Sequence, residues 1–336
     1  MPKPPITSSD VARLAKVSQS AVSRTFSPHA SVSEKTRQKV LRAASTLGYR
    51  PNALARAMIS GRSRLVALLV AYLDNHLYPI VLEQMARALQ AHDYHVLLVL
   101  TDPGKQDRVV ARMLEYQVDG MVLASATLSS ALARECAESG IPVVLLNRYT
   151  PSTPASSVTS DNIEGGRLLG HFLADGGHKR IAFIAGQEDS STSRDREAGF
   201  FKGLAERGMP CFAREIGSYT FARAAEAAAK LLSMRQPPDA IFVANDHMAI
   251  SVMDVARRQF GLRVPADVSI VGYDDVPEAS WEGYALTTVA QPIQAMIDAT
   301  ITILLEQMEQ KVVTRRAAVL PCALVVPTSA RLPPKG

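Results

Sequence analysis

Beyond residue 64 the chain alternates between short apolar runs of strand length and longer stretches with apolar residues at helical spacing. The runs are LVALLV (65–70), HVLLVL (95–100), GMVLAS (120–125), PVVLLN (142–147), SVTSD (157–161), RIAFIAG (180–186), AIFVAND (240–246) and VSIVGYD (268–274). Between them the pattern predicts helices over 79–91, 105–116, 161–175, 194–207, 221–233 and 246–259. Apolar strands that alternate with helices form parallel sheets covered on both faces. The units are too many for one small sheet, so the fold class is α/β, with a body of two doubly wound lobes of about five strands each. Residues 292–309 read as a helix returning to the first lobe, and VLPCALVVP (319–327) as a crossover strand to the second.

The first 50 residues follow a different pattern, that of three short helices. Thr7-Ser8-Ser9-Asp10 fits a capping box, after which Val11, Leu14 and Ala15 share a face. Ser18 caps a second helix from Gln19 to about Phe26, with Val22 and Phe26 inward and Ser27-Pro28 as its stop. Ser33 caps a third, with Val40, Leu41, Ala44 and Leu47 at helical spacing and Gly48 at its end. Helix, short turn, helix is the helix-turn-helix arrangement, whose second helix enters the DNA major groove. Its outward residues are Gln19, Ser20, Ser23 and Arg24. Arg can bond guanine O6 and N7, and Gln adenine N6 and N7. Ser18, Ser23, Thr25 and Ser31 offer hydroxyls to phosphate, and Lys35, Arg37 and Lys39 add charge.

Charge points the same way. Residues 1–64 carry 12 Lys/Arg against 2 Asp/Glu, and the remainder 25 against 30. A basic head on a mildly acidic body implies a polyanionic partner for the head. The composition, 47% hydrophobic and 21% charged, excludes wholesale disorder, collagen and coiled-coil rod. No run of 18 apolar residues and no secretory leader pattern is present, so a cytoplasmic protein without membrane contact is expected. Cys136, Cys211 and Cys322 are odd in number and widely spaced, so neither a disulfide framework nor a zinc site is expected.

The run DVARLAKVSQSAVSRTFSPHASVSEKTRQKVLRAASTLGYRPNALARAM resembles the N-terminus of the LacI/GalR (lactose-repressor-like) family of bacterial transcriptional regulators. The motifs VTSDN..GG, GH.RIAFI.G, R.REAGF, FVAND.MAI, GLRVPADVSIVGYDD and LTTVAQP extend the resemblance over nearly the whole chain. It implies a helix-turn-helix head at 1–50, a hinge helix and linker at 51–64, and a periplasmic-binding-protein-like effector and dimerisation domain at 65–336. Lobe one would span about 65–160 and 292–318, lobe two about 161–291 and 319–330. Gln19, Ser20 and Arg24 fall at base-reading positions, and Thr7, Ser8 and Ser9 are further DNA-contact candidates. Two departures stand out. Lys16 occupies a turn position usually held by Gly or Asn, where a left-handed conformation costs roughly 1–2 kcal/mol. Ser27 and Pro28 replace the usual asparagine after the recognition helix, which puts a phosphate contact there in doubt.

Residues 51–58, PNALARAM, contain good helix formers, yet two turns are marginal alone in water. The resemblance supplies a partner: the same segment of a second subunit in the minor groove, with Asn52, Leu54, Ala55 and Met58 as contacts. Met58 takes the place of an apolar wedge, and unstacking a base step costs a few kcal/mol, offset by contacts that bent DNA permits. The alternative for Leu54 and Met58 is a place in the core of the head.

In the body, polar residues collect at the carboxyl ends of the strands, where doubly wound sheets bind ligands. They are Asn147-Arg148, Arg194 and Arg196, Asn245-Asp246, Asp274-Asp275 and the segment 74–79 after the first strand. Amides, carboxylates and guanidinium groups beside an aromatic wall suit a polyhydroxylated or anionic small molecule. The resemblance aligns Arg196, Asn245 or Asp246, Asp274, Asn147, Tyr219 and the Leu77/Tyr78 region with effector-binding residues. Arg148 and Arg194 mark an acidic effector on one reading, and surface or interlobe ion pairs on the other. The expected function is operator binding by a homodimer under the control of a sugar or sugar acid, with no metal or cofactor. Because the chain ends in SARLPPKG without a heptad tail, a dimer is expected rather than a tail-mediated tetramer. The alternative, a sugar-processing or phosphoryl-transfer enzyme using Asp246 and Asp274, lacks a GxSxG elbow, a GxxxxGK[ST] loop and HExxH.

Overall fold

The computed structural model describes residues 6–26, 31–50, 62–71, 73–101, 105–124, 128–151 and 153–334. The chain divides into two compact units, Met1–Arg64 and Leu65–Gly336.

The first unit holds α1 (Ser8–Ala15), α2 (Gln19–Thr25) and α3 (Glu34–Leu47). Thr7 closes the expected capping box: its Oγ1 accepts from Asp10 N at 3.4 Å while Thr7 N donates to Asp10 Oδ2 at 3.0 Å. Ser18 and Ser33 cap the next two helices by the same chemistry. Lys16 is left-handed, with φ 53° and ψ 48°. Val11, Ala12, Ala15, Val22, Val40, Ala43 and Ala44 form the core, with Phe26 and Tyr49 packed at its edge.

Three sequence expectations fail here. Leu14 is exposed, because the buried face of α1 centres on Val11 and Ala15 and extends toward Ala12, leaving Leu14 on the opposite flank. Leu41 is exposed for the same reason, Ala43 replacing it against Val40 and Ala44. Thr25 offers nothing to phosphate. It lies buried beside Ala21 and Val22, and its hydroxyl donates to the Ala21 carbonyl oxygen at 2.8 Å. Arg37 is likewise engaged within the head, its Nη1 donating to the Thr25 carbonyl oxygen at 3.0 Å.

In the second unit the strands are β1 (Leu65–Val70), β2 (His95–Leu100), β3 (Gly120–Ala124), β4 (Val143–Leu146), β5 (Ser156–Ser160), β6 (Ile181–Ala185), β7 (Ala213–Ile216), β8 (Ala240–Val243), β9 (Ser269–Val271), β10 (Thr288–Ala290), β11 (Ala317–Leu320) and β12 (Ala323–Val325). Its helices are α4 (Leu77–Ala91), α5 (Gln106–Glu115), α6 (Ser130–Glu138), α7 (Asn162–Asp175), α8 (Ser191–Ala205), α9 (Phe221–Leu232), α10 (Asp246–Arg258) and α11 (Ile293–Gln310). Lobe one is a parallel six-stranded sheet of order β11-β5-β4-β3-β1-β2, and lobe two a parallel four-stranded sheet of order β7-β6-β8-β9. In each sheet the strand order reverses once, at β1 in the first and at β6 in the second, which opens a crevice at the carboxyl ends.

The lobes therefore have six and four strands rather than about five each. The expected crossover strand over 319–327 is instead two strands. Pro321 interrupts the run, so that β11 pairs with β5 in lobe one while β12 pairs antiparallel with β10. Helix α11 packs on α4 and on strands β3 to β5, as its apolar face requires. Lobe two is filled by Phe183, Phe200 and Phe242, whose ring centroids lie 4.9 to 5.7 Å apart. Among the described residues no helix is long and apolar enough to cross a membrane.

Candidate functional site

On the head, Gln19, Ser20, Ser23 and Arg24 lie side by side and exposed on α2. Ser18, Ser9, Thr7 and Ser31 are also exposed, and Ser8 is half-buried. The turn between α1 and α2 is braced by Gln19, whose Nε2 donates to Ser8 Oγ at 2.9 Å. Arg24 Nε reaches back to the Ser20 carbonyl oxygen at 3.4 Å, so its guanidinium lies along the exposed face of the helix. An exposed row of polar and cationic groups on one short helix is what phosphate positioning and base-edge reading both need. Asn52, Leu54, Ala55 and Met58, with Ser27 and Pro28, lie outside the described residues.

The second site is a cavity where the strands of both lobes end. Its walls are Asn75 and Tyr78 after β1, Asn147 and Arg148 after β4, Thr192 and Arg196 after β6, Tyr219 after β7, Asn245 after β8 and Asp274 after β9. Seven of these are expected from the sequence. Asn75 lies within the segment 74–79 marked from the sequence but is not an individual candidate there, and Thr192 is not marked at all.

Helix packing sets the floor of the cavity. α7 and α8 approach backbone to backbone over Gly166 and Gly199, where a Cβ would stand 2.2 Å from the Arg196 carbonyl oxygen and 1.9 Å from that of Ile163. That closeness lets Arg196 Nε donate to Asn162 Oδ1 at 2.8 Å, its Nη1 to the Ala244 carbonyl oxygen at 2.6 Å and its Nη2 to Asp274 Oδ1 at 3.1 Å. The guanidinium also lies 3.7 Å from the centroid of the Tyr273 ring. Asp274 Oδ1 further accepts from Gln291 Nε2 at 2.7 Å, and Gln291 Oε1 accepts from Ser160 Oγ at 3.0 Å, which carries the network into lobe one. A buried charge pair of this kind depends on further hydrogen bonds, and Asn162, Ala244 and Gln291 supply them here.

The opposite wall also bridges the lobes. Arg148 Nη1 donates to the Asn147 carbonyl oxygen at 3.0 Å and, across the cleft, to Thr192 Oγ1. Its guanidinium lies 5.6 Å from the Tyr219 ring centroid. Tyr149 N donates to Ser191 Oγ at 3.1 Å, and Tyr149 Oη to Asp195 Oδ1 at 3.0 Å, so consecutive residues after β4 engage the start of α8. Gly186 makes room for Tyr219, since a Cβ there would fall 2.1 Å from the phenol ring. Asn147, Tyr219 and Asp274 all adopt positive φ (58°, 58° and 129°), backbone strain held at the carboxyl ends of three strands. Asn245 Oδ1 caps α10 by accepting from Met248 N at 3.1 Å, which fixes the amide. Its Nδ2 and Asn147 Oδ1 are buried at the cavity wall without a hydrogen-bond partner. Beside this chamber lies an apolar one, which shares Tyr78 and Asn147 and is completed by Leu77, Val81, Leu146, Ile293, Met296 and Ile297.

Three expected effector residues sit elsewhere. Asp246 is turned away, its carboxylate accepting from Thr288 Oγ1 at 2.7 Å and from Val276 N at 3.1 Å. As the first residue of α10 it follows the cap, and Asn245, the cap itself, takes the wall. Burial, and then the neighbouring Asp274 carboxylate, push its pKa up to about 7. Arg194 is exposed and donates to the Asp189 carbonyl oxygen at 2.8 Å, because α8 starts at Ser191 and its turn carries residue 194 outward. Leu77 lines only the apolar chamber.

Residues 7–52 match the lacI family of bacterial regulatory proteins, and residues 170–329 match a periplasmic binding protein-like domain. The chain is 32% identical to catabolite control protein A of Priestia megaterium over 94% of its own length and 96% of that protein. It is 32% identical to the HTH-type transcriptional repressor PurR of Photobacterium profundum, over 97% of this chain and 98% of the relative. In structure it resembles the lac repressor dimer bound to operator and the anti-inducer ONPF, with a TM-score of 0.86, 28% identity and coverage of 97% and 99%. The transcriptional regulator CelR in complex with cellobiose aligns with a TM-score of 0.72 at 31% identity, covering 96% and 99%. A helix-turn-helix head, a two-lobed body with a cavity at its strand ends, and relatives that align end to end lead to one conclusion: the chain belongs to the LacI family of bacterial regulatory proteins and is a DNA-binding transcriptional regulator.

Proposed function

We propose that the chain is a cytoplasmic homodimeric repressor whose affinity for a pseudo-palindromic operator is set by a sugar or sugar acid bound between the lobes, and that it acts without turnover. Residues 1–50 serve as the DNA-binding domain and 51–64 as the hinge. Residues 65–336 serve as the effector and dimerisation domain, with lobe one at about 65–160 and 292–318 and lobe two at about 161–291 and 319–330. The observation that carries the reading is the cavity, to which both lobes contribute polar side chains and in which Asn147 Oδ1 and Asn245 Nδ2 lack partners. Unpaired buried polar atoms are costly, and a ligand hydroxyl satisfies both an acceptor and a donor. Self-association is supported by the edge strand β2, which exposes Leu98 and Leu100.

Effector in the cavity biases the relative orientation of the lobes, and with it the distance between the two hinge segments of a dimer. DNA and effector affinities are then reciprocally coupled, typically by about 1–3 kcal/mol. Selection of the full-length protein against a random DNA library tests the head. The wild type should enrich one two-fold symmetric site, and Arg24→Ala should lose discrimination at one base pair per half-site, worth about 1–3 kcal/mol. Enrichment of the same site by the variant would refute the recognition-helix assignment.

A further inference from the structure

We infer that the ligand of the interlobe cavity is a small hydroxylated monoanion whose carboxylate sits on Arg148, and that Arg148 selects an acid over its neutral parent sugar. The inference rests on the reading of this cavity as the effector site.

Arg148 is only 4% exposed. Among the described residues no carboxylate forms a direct ion pair with it: Asp274, whose charge acts on Arg148 through space, is bonded to Arg196 instead. A buried cation that shares its only nearby carboxylate with a second cation is stabilised by a further anion. Its two hydrogen bonds both use Nη1, to the Asn147 carbonyl oxygen and to Thr192. Nε and Nη2, which form the other edge of the planar fork, make no hydrogen bond among the described residues. That edge matches the two oxygens of a carboxylate in a paired, planar contact. Thr192 and the Tyr219 ring hold the guanidinium in place, so little side-chain freedom is lost when the anion arrives.

The charges on the walls give the valence. Arg148 and Arg196 face one carboxylate, Asp274, leaving the cavity one positive charge in excess. A monoanion neutralises it, whereas a phosphate ester brings nearly two negative charges. The rest of the ligand is read by Asn147 Oδ1 and Asn245 Nδ2, an acceptor and a donor that hydroxyls satisfy.

The test is a matched panel measured on the full-length protein by thermal shift and calorimetry. It contains D-glucose, D-gluconate, D-glucuronate and glucose 6-phosphate, with the corresponding D-galactose and L-arabinose series. At least one sugar acid should raise the melting temperature and bind about 10- to 100-fold more tightly than its neutral parent, the range expected for a charge-assisted contact. Arg148→Met should abolish that preference. Equal binding of acid and neutral sugar, or an acid preference retained in Arg148→Met, would overturn the inference while leaving the effector reading intact. Tighter binding of the phosphate ester would overturn the monoanion assignment. A panel that is silent throughout would overturn both readings.

Discussion

Arg196 and Asp274 form an ion pair of 3.1 Å in which both side chains are 2% exposed. The pair joins α8 to the end of β9 and, through Gln291 and Ser160, to the end of β5 in the other lobe. Asp274→Ala leaves Arg196 buried without its partner. The variant should lose about 3–5 kcal/mol of stability in denaturant unfolding of the full-length protein. Adding Arg196→Met should restore part of that loss, because the stranded charge is then gone. If the double variant is no more stable than the single, the pair is not the reason for the loss.

Much of this site follows from strand runs that end in polar residues. Asn147, Arg148, Asn245 and Asp274 each lie where an apolar run stops, so their place at the carboxyl end of a parallel sheet is legible. What the pattern does not carry is which way a residue turns at a strand-to-helix junction. Asn245 and Asp246 are adjacent, and only the cap geometry sends one to the wall and the other behind it. Thr192 escapes notice because DSSTSR reads as a polar loop, whereas Ser190 caps α8 earlier than the apolar spacing indicates. Helix α6 and strand β7 are short and only half covered, so their apolar residues are too few to set a period.

The left-handed Lys16 at the turn of the head gives a direct test of local strain. Lys16→Gly should relieve it and stabilise the head by about 1 kcal/mol, less the entropy that glycine loses on folding. Hydrogen exchange at Val11 and Val40, both fully buried in the head, should slow accordingly. Unchanged or faster exchange would mean that the turn tolerates lysine without strain.

Two buried groups oppose each other in the pH dependence of the body. Asp246 is raised from an ordinary 3.8 to about 7 by burial and then by Asp274, so the folded state holds a proton that the unfolded chain releases near 3.8. Its contribution is fully present below 3.8 and is lost as pH rises through 7. His178 is lowered from 6.5 to about 4, chiefly by burial and then by Arg331, against the pull of Asp239. Its contribution is present above 6.5 and is lost as pH falls through 4. Between pH 4 and 6.5 the two slopes cancel in part. In that window Asp246→Asn should make the melting temperature rise more steeply with pH than in the wild type, and His178→Gln should make it rise less or fall. Parallel profiles for all three proteins would show that neither group titrates as assigned.

The contact of α7 with α8 is where sequence acts on the cavity from a distance. Gly199 has no room for a Cβ, which would stand 1.9 Å from the Ile163 carbonyl oxygen and 2.7 Å from its carbonyl carbon. Both are backbone atoms of a helix and cannot rotate away, so Gly199→Ala must separate the helices. Overpacking of this kind costs about 1–3 kcal/mol or more. Asn162 and Arg196 lie on opposite sides of the same seam, joined by the 2.8 Å bond from Nε. Separation therefore lengthens that bond and shifts the Arg196 guanidinium relative to Asp274 and Ala244. The expected result is a lower melting temperature together with weakened effector binding, although Gly199 lines neither chamber. Gly208→Ala provides the contrast: it is strained by a φ of 68° but meets nothing within 4 Å, so it should lower stability and leave effector affinity unchanged. If both variants lose stability and neither changes effector affinity, the helix seam supports the fold without setting the geometry of the cavity.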